Sequence, residues 1–204
     1  MLYDGFTIDE EGFLKLVNNE GGDEYDVIYN EKKYSEETIK DYDESGDKTG
    51  IKISKGILAS GASNGNMSVK RIVGQVKTED GYDTGKRIIN HSYEVKTDKE
   101  AKLLMNFLDK NTKVEWSNTL MKNRQGNMIN LLGTSHENRI ISFGSLQVNK
   151  YVSQGFEVIR ADHIHPFSTN ISEGDKGHAR DVLISSPRAR FRILHKGKYY
   201  EYKP

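Results

Sequence analysis

Residues 161–181, ADHIHPFSTNISEGDKGHARD, gather imidazoles, carboxylates and hydroxyls into one short stretch. His163 and His165 are two apart, so at the end of a strand both rings point to the same face, where one cation could bind both. Pro166 ends the strand. Ser172, with Asp175 three residues on, then reads as a helix start whose first turn aims a carboxylate back toward the histidines. Two imidazoles and a carboxylate suit zinc, with the fourth tetrahedral position left for water. Each part also has a plainer reading. Ser172 and Asp175 fit an ordinary capping box, His-x-His can be simple strand polarity, and His178 can face solvent. Their coincidence behind an apolar strand, 156–161 (FEVIRA), is what points to a metal.

A metal with an open position needs a base beside its water. Glu115 is the candidate, because it lies between Val114 and Trp116 at the start of an apolar strand, where an isolated carboxylate is costly without a polar or metal-bound partner. A strand-end glutamate exposed to solvent is the alternative.

These residues need elements to position them. Thr97 to Glu100 form a capping box, and Leu104, Phe107 and Leu108 recur behind it at helical spacing, which predicts a helix ending near Asn111. Strands follow at 128–132 (MINLL) and 139–143 (RIISF), joined by GTSHEN and expected to pair antiparallel. After the His-x-His strand come a short helix from about Glu173, a buried strand at 182–185, and a terminal hairpin of 188–194 with 199–202. Upstream, 13–17 (FLKLV) and 25–29 (YDVIY) read as a hairpin, residues 33–50 as a linker or exposed meander, 50–58 as strand-like, 61–66 as loop, and 69–76 as a strand before a glycine-bearing loop at 80–85. Residues 1–90 hold no metal-ligand cluster, so the first 60 are expected to be dispensable for metal binding.

Composition narrows the chemistry further. The 204 residues include no cysteine, which excludes disulfides and thiolate zinc sites. No run approaches a membrane span, and the first residues lack the pattern of a secretory leader. A net charge of zero hides an asymmetry: residues 1–50 carry 15 acids and 5 bases, the remainder 15 acids and 25 bases. The expected arrangement is an acidic segment lying against a mildly basic domain; the alternative is a basic surface for an acidic partner such as nucleic acid, the less expected partner, and charge alone does not choose between them.

The segments KVEWS, TSHEN, DHIHP and GDKGHARDV resemble the JAMM (JAB/MPN-type) zinc metallopeptidases, and more narrowly the JAB-like toxin domains at the C-termini of Rhs-type bacterial polymorphic toxins. The resemblance implies an α/β, cytidine-deaminase-like layered domain with a mixed sheet flanked by helices over residues 85–204, after an acidic β-rich lead-in over 1–84. It also implies Zn2+ bound by His163, His165 and Asp175, with Glu115 as proton acceptor and Ser172 at the oxyanion. Six residues separate His165 from Ser172 where the family usually has seven, which leaves Ser168 as a substitute for the serine. The implied reaction is hydrolysis of a peptide or isopeptide bond in a protein or peptide substrate. A delivered bacterial effector with a cognate immunity protein and no membrane partner is the implied setting. Two other readings stand beside it. One is an HNH-type nuclease built on Asp162, His163 and Pro166; the other is a binding module whose metal site has decayed.

Overall fold

The structure is a computed structural model, and it describes residues 3–19, 24–45, 48–58, 76–78, 81–83, 91–136 and 144–204. Among them the chain is α/β, with mixed sheets and three α-helices. The helix expected behind Thr97 is α1, Asp98–Asn111. Its first turn is closed by the Thr97 hydroxyl, which accepts from the Glu100 amide at 3.2 Å, and its last by the Thr112 hydroxyl, which donates to the Leu108 carbonyl at 2.8 Å. Ala101, Leu104, Met105 and Leu108 form its buried stripe.

Six strands make the sheet that carries the candidate site. They are β8 (His91–Val95), β9 (Trp116–Asn123), β10 (Met128–Thr134), β11 (Phe156–Ile164), β12 (Arg190–His195) and β13 (Lys198–Tyr202), in the order β13-β12-β11-β9-β10-β8. All neighbours are antiparallel except β11 and β12. Alternation along the strands sends Trp116, Leu132, Ile164 and Leu194 to one face, where they pack with α1. Met121, Leu131, Ala161 and Ile193 go to the other, against α2 (Gly144–Ser153) and α3 (Glu173–Ser185).

The N-terminal residues form a second sheet from β1 (Asp4–Ile8), β2 (Leu14–Asn19), β3 (Tyr25–Asn30), β4 (Tyr42–Asp43) and β5 (Gly50–Ser54), in the order β2-β1-β3-β5-β4. Phe6, Ile8, Ile28, Ile51 and Ile53 of this sheet share one buried cluster with α1 and with Trp116, so α1 lies between the two sheets. A two-stranded ribbon of β6 (Val76–Thr78) and β7 (Gly81–Asp83) completes the described elements.

Several expectations need correction. Residues 13–17 and 25–29 do not form a hairpin, because β1 lies between β2 and β3, antiparallel to the first and parallel to the second. Residues 182–185 are the last turn of α3 rather than a strand; a four-residue apolar run does not distinguish the two states. Strand β10 is paired on both edges, with β9 and β8, where pairing with residues 139–143 was expected. Residues 139–143, 61–66 and nearly all of 69–76 lie outside the described residues. The terminal hairpin forms as β12 and β13.

Candidate metal centre

Strand register assembles the site. β9 and β11 run antiparallel with His163 opposite Ser117, and two further residues of the same register set His165 opposite Glu115. β11 therefore delivers both histidines at its C-terminal end, and the residue before β9 delivers Glu115 beside them. The loop after Pro166 leads to α3, whose first turn brings Asp175 to the same point through a full capping box. The Ser172 hydroxyl accepts from the Asp175 amide at 3.1 Å, and the Ser172 amide donates to Asp175 Oδ2 at 2.7 Å.

Three donors converge. The Nε2 atoms of His163 and His165 are 3.0 Å apart, Asp175 Oδ1 is 3.2 Å from His163 Nε2, and Asp175 Oδ2 is 3.5 Å from His165 Nε2. Tetrahedral donors on one zinc ion lie about 3.4 Å from each other. The triad could therefore hold a metal ion with small adjustments, and it is the group of this kind found among the described residues. Both histidines are buried, and the carboxylate is largely so. Glu115 Oε1 stands 3.9 Å from His165 Nε2, beside the triad without belonging to it.

The electrostatics separate the two carboxylates. Burial works against the charge of Asp175, but hydrogen bonds to His163 and His165, the His163 charge and the Ser172 amide outweigh it and hold the carboxyl far below the usual range. Glu115 has the opposite balance. Burial and the Asp175 charge push it up to about 8, with His165 pulling only partly against them. One carboxylate is thus favoured in its ionised form, as a ligand must be, while the other can take and release a proton near neutrality. Burial lowers His163, which favours the neutral ring a metal requires. In His165 burial is outweighed by the hydrogen bond to Asp175 and by the Asp175 and Glu115 charges, so its affinity for a proton rises.

A surrounding shell fixes these groups. The His165 amide donates to the Leu194 carbonyl at 3.1 Å, the His195 ring donates through Nδ1 to the His165 carbonyl at 2.7 Å, and the Asn170 backbone is hydrogen-bonded to the His165 ring. Thr134 donates its hydroxyl to the Glu115 carbonyl at 2.8 Å. The sequence reading missed His195 and Thr134. Both sit at strand ends that the register brings level with the site, a relation invisible until strand order is known.

The remaining candidates lie around the triad or on the far face of β11. Ser172 is exposed and its hydroxyl donates to Asp175 Oδ2 at 2.8 Å, while the Ser168 hydroxyl accepts from the Asn170 amide at 3.3 Å. His178, one turn beyond Asp175 on α3, has an exposed side but borders the triad, since burial and the nearby His163 charge lower its affinity for a proton. Asp162 points to the opposite face of β11 and is fully engaged: Arg160 Nε lies 2.7 Å from Oδ2, Arg192 Nε 2.7 Å from Oδ1, and Arg192 Nη2 2.9 Å from Oδ2. Arg160 extends the network to Asp98 at the start of α1.

Residues 93–184 match the family described as JAB-like toxin 1. No curated protein matches the chain. The matched stretch runs from β8 to α3 and holds Glu115, His163, His165, Ser172 and Asp175.

Proposed function

Because residues 93–184 carry a JAB-like toxin domain, we propose that the chain is a zinc-dependent hydrolase of peptide or isopeptide bonds, acting as the toxin of a delivered bacterial effector. The observation that carries this reading is the convergence of His163, His165 and Asp175 at 3.0 to 3.5 Å with a raised-pKa carboxyl, Glu115, beside them. Two histidines and a carboxylate with an open position are a donor set that catalytic zinc takes. The JAMM-type assignment adds the cytidine-deaminase-like layering, which α1 on one sheet face and α2 and α3 on the other would satisfy.

When bound, zinc supplies a Lewis acid that polarises the scissile carbonyl and lowers the pKa of water toward ~7. His163 and His165 would hold it as neutral rings, the metal taking the place of the proton that His165 otherwise favours, and Asp175 would add one negative charge. Glu115 accepts the proton of the attacking water and returns it to the leaving amine, a transfer its raised pKa favours at neutral pH. Ser172 would stabilise the developing oxyanion by turning its single hydroxyl proton from Asp175 Oδ2 to the carbonyl oxygen. A protein or peptide is the substrate, and a cognate immunity protein that covers the site is the natural partner of such an activity. No helix among the described residues is long and apolar enough to cross a membrane.

The test is cleavage of a mixed peptide pool and of isopeptide-linked protein conjugates by the purified chain. Activity should vanish with a chelator and return with zinc. Glu115→Gln should retain zinc and lose about 10²–10⁴-fold in kcat. A Glu115→Gln protein that is folded, loaded and as active as the unaltered chain would refute the assigned chemistry.

A further inference from the structure

Four successive residues of the turn between β1 and β2, 10–13, contact either the segment that carries Glu115 or His136 beside it. The Glu10 carbonyl accepts from the Lys113 amide at 2.7 Å, and the Glu10 carboxylate lies 2.7 Å from Lys113 Nζ. The Glu11 carbonyl accepts from His136 Nδ1 at 2.7 Å. Gly12, at φ 80°, is so close that a Cβ there would stand 3.0 Å from Val114 Cγ2 and 3.1 Å from Trp116 Cζ2. The Phe13 ring stacks on the His136 imidazole, with centroids 3.9 Å apart and planes 5° from parallel. His136 closes the circuit, because its amide donates to the Thr134 hydroxyl at 3.0 Å, and that hydroxyl donates to the Glu115 carbonyl at 2.8 Å. It does so at φ 56°, a left-handed conformation that a non-glycine residue keeps only when its surroundings hold it.

Residues 113, 114 and 116 are therefore set by the turn directly, and the Glu115 carbonyl through His136 and Thr134. No metal ligand is touched by these contacts. His163 and His165 come from β11 and Asp175 from α3, on the other side of Glu115. We propose that the β1–β2 turn is a positioning element for Glu115, with Gly12 and the Phe13–His136 stack as its working parts, so that the N-terminal sheet completes the hydrolytic site. The proposal rests on the reading of Glu115 as the proton acceptor. It gives the acidic N-terminal segment a role in kcat and none in metal binding.

Gly12→Ala is the direct test. Only glycine fits comfortably at this φ, and the added methyl must displace Val114 or Trp116. Trp116 is the only tryptophan in the chain, and it is buried, so its emission reports the displacement without any substrate. The expected result is a folded variant with wild-type zinc content, shifted tryptophan emission, a kcat lower by about 10- to 100-fold and a KM within about twofold of wild type. Phe13→Leu, which removes the ring stack without adding bulk, should give a smaller loss of kcat with the same zinc content, and it serves if Gly12→Ala fails to fold. Wild-type kcat despite shifted emission, or kcat lost together with zinc, would overturn the proposal. If the wild-type chain cleaves no peptide, the fault lies with the proposed reaction, and amide hydrogen exchange at residues 113–117 decides alone. Faster exchange than wild type in the variants upholds the positioning role, and unchanged exchange overturns it.

Discussion

Glu115 and Asp175 are both largely buried carboxyls, 3.9 and 3.5 Å from His165 Nε2, yet their surroundings drive their proton affinities in opposite directions. That divergence is how a site obtains a permanent ligand and a proton carrier from one residue class. Ser172 has two tasks to separate. Loss of its cap in Ser172→Ala should cost about 1 kcal/mol of stability, read as a lower Tm. Loss of an oxyanion donor should also lower kcat by about 10²-fold. A lower Tm with intact kcat would leave Ser172 as a cap and move the oxyanion role to Ser168. His91 offers a prediction away from the metal centre. Burial, helped by the His136 charge, lowers it to about 4 from an ordinary value of 6.5. Above pH 6.5 the ring is neutral in both folded and unfolded chains and has no effect. As pH falls from 6.5 to 4 only the unfolded chain takes up the proton, so stability falls, by up to about 3 kcal/mol. Urea melts across this window should show the decline, and His91→Gln should flatten it. An equal slope in the variant would assign the decline to other groups.

Strand β11 shows what an element adds to its residues. His163 and His165 face the metal centre, while Arg160 and Asp162 face α1, an alternation legible in the sequence once 156–164 is read as one strand. The sequence could not show that Arg192, thirty residues on, closes the Asp162 network, because that contact depends on β12 lying beside β11. Asp162→Ala should leave the buried Arg160 and the half-buried Arg192 short of a partner and destabilise the fold by about 3 kcal/mol. At low temperature the folded variant should bind zinc as the unaltered chain does. Loss of the metal from a folded Asp162→Ala protein would make Asp162 part of the site, as a nuclease reading requires. The same contrast runs through the other elements. α1 was legible end to end, because a capping box and a 3.6-residue stripe are local signals. The N-terminal strand order was not, since β1 separates β2 from β3 through pairings between distant residues. Residues 182–185 misled for a related reason: the apolar run is the last turn of a helix, in which Val182 is buried and Ile184 stands exposed.

Across the whole molecule, one buried cluster draws side chains from both sides of the expected boundary at residue 84. Ile28, Ile51 and Ile53 cover the side of α1 turned away from the six-stranded sheet. The N-terminal segment carries no ligand of the proposed metal site, which supported its being dispensable for metal binding, but its removal would bare apolar side chains of the cluster it shares with α1 to water. Each such side chain contributes about 1.5–3 kcal/mol by its burial. A chain starting near Asp80 should therefore aggregate or melt well below the full chain, and calorimetry with size-exclusion chromatography would reveal it. A truncated chain as stable as the full one would mean that α1 needs no cover. The charge asymmetry fits the same arrangement, since Glu10 pairs with Lys113 at 2.7 Å across the two segments. The central claim, a zinc ion held by His163, His165 and Asp175, is tested most directly by elemental analysis of untagged full-length protein beside its His163→Ala variant. About one zinc per chain, lost in the variant, is the result expected. A chain that takes up no zinc even when zinc is supplied, or a variant that holds it undiminished, would contradict the claim.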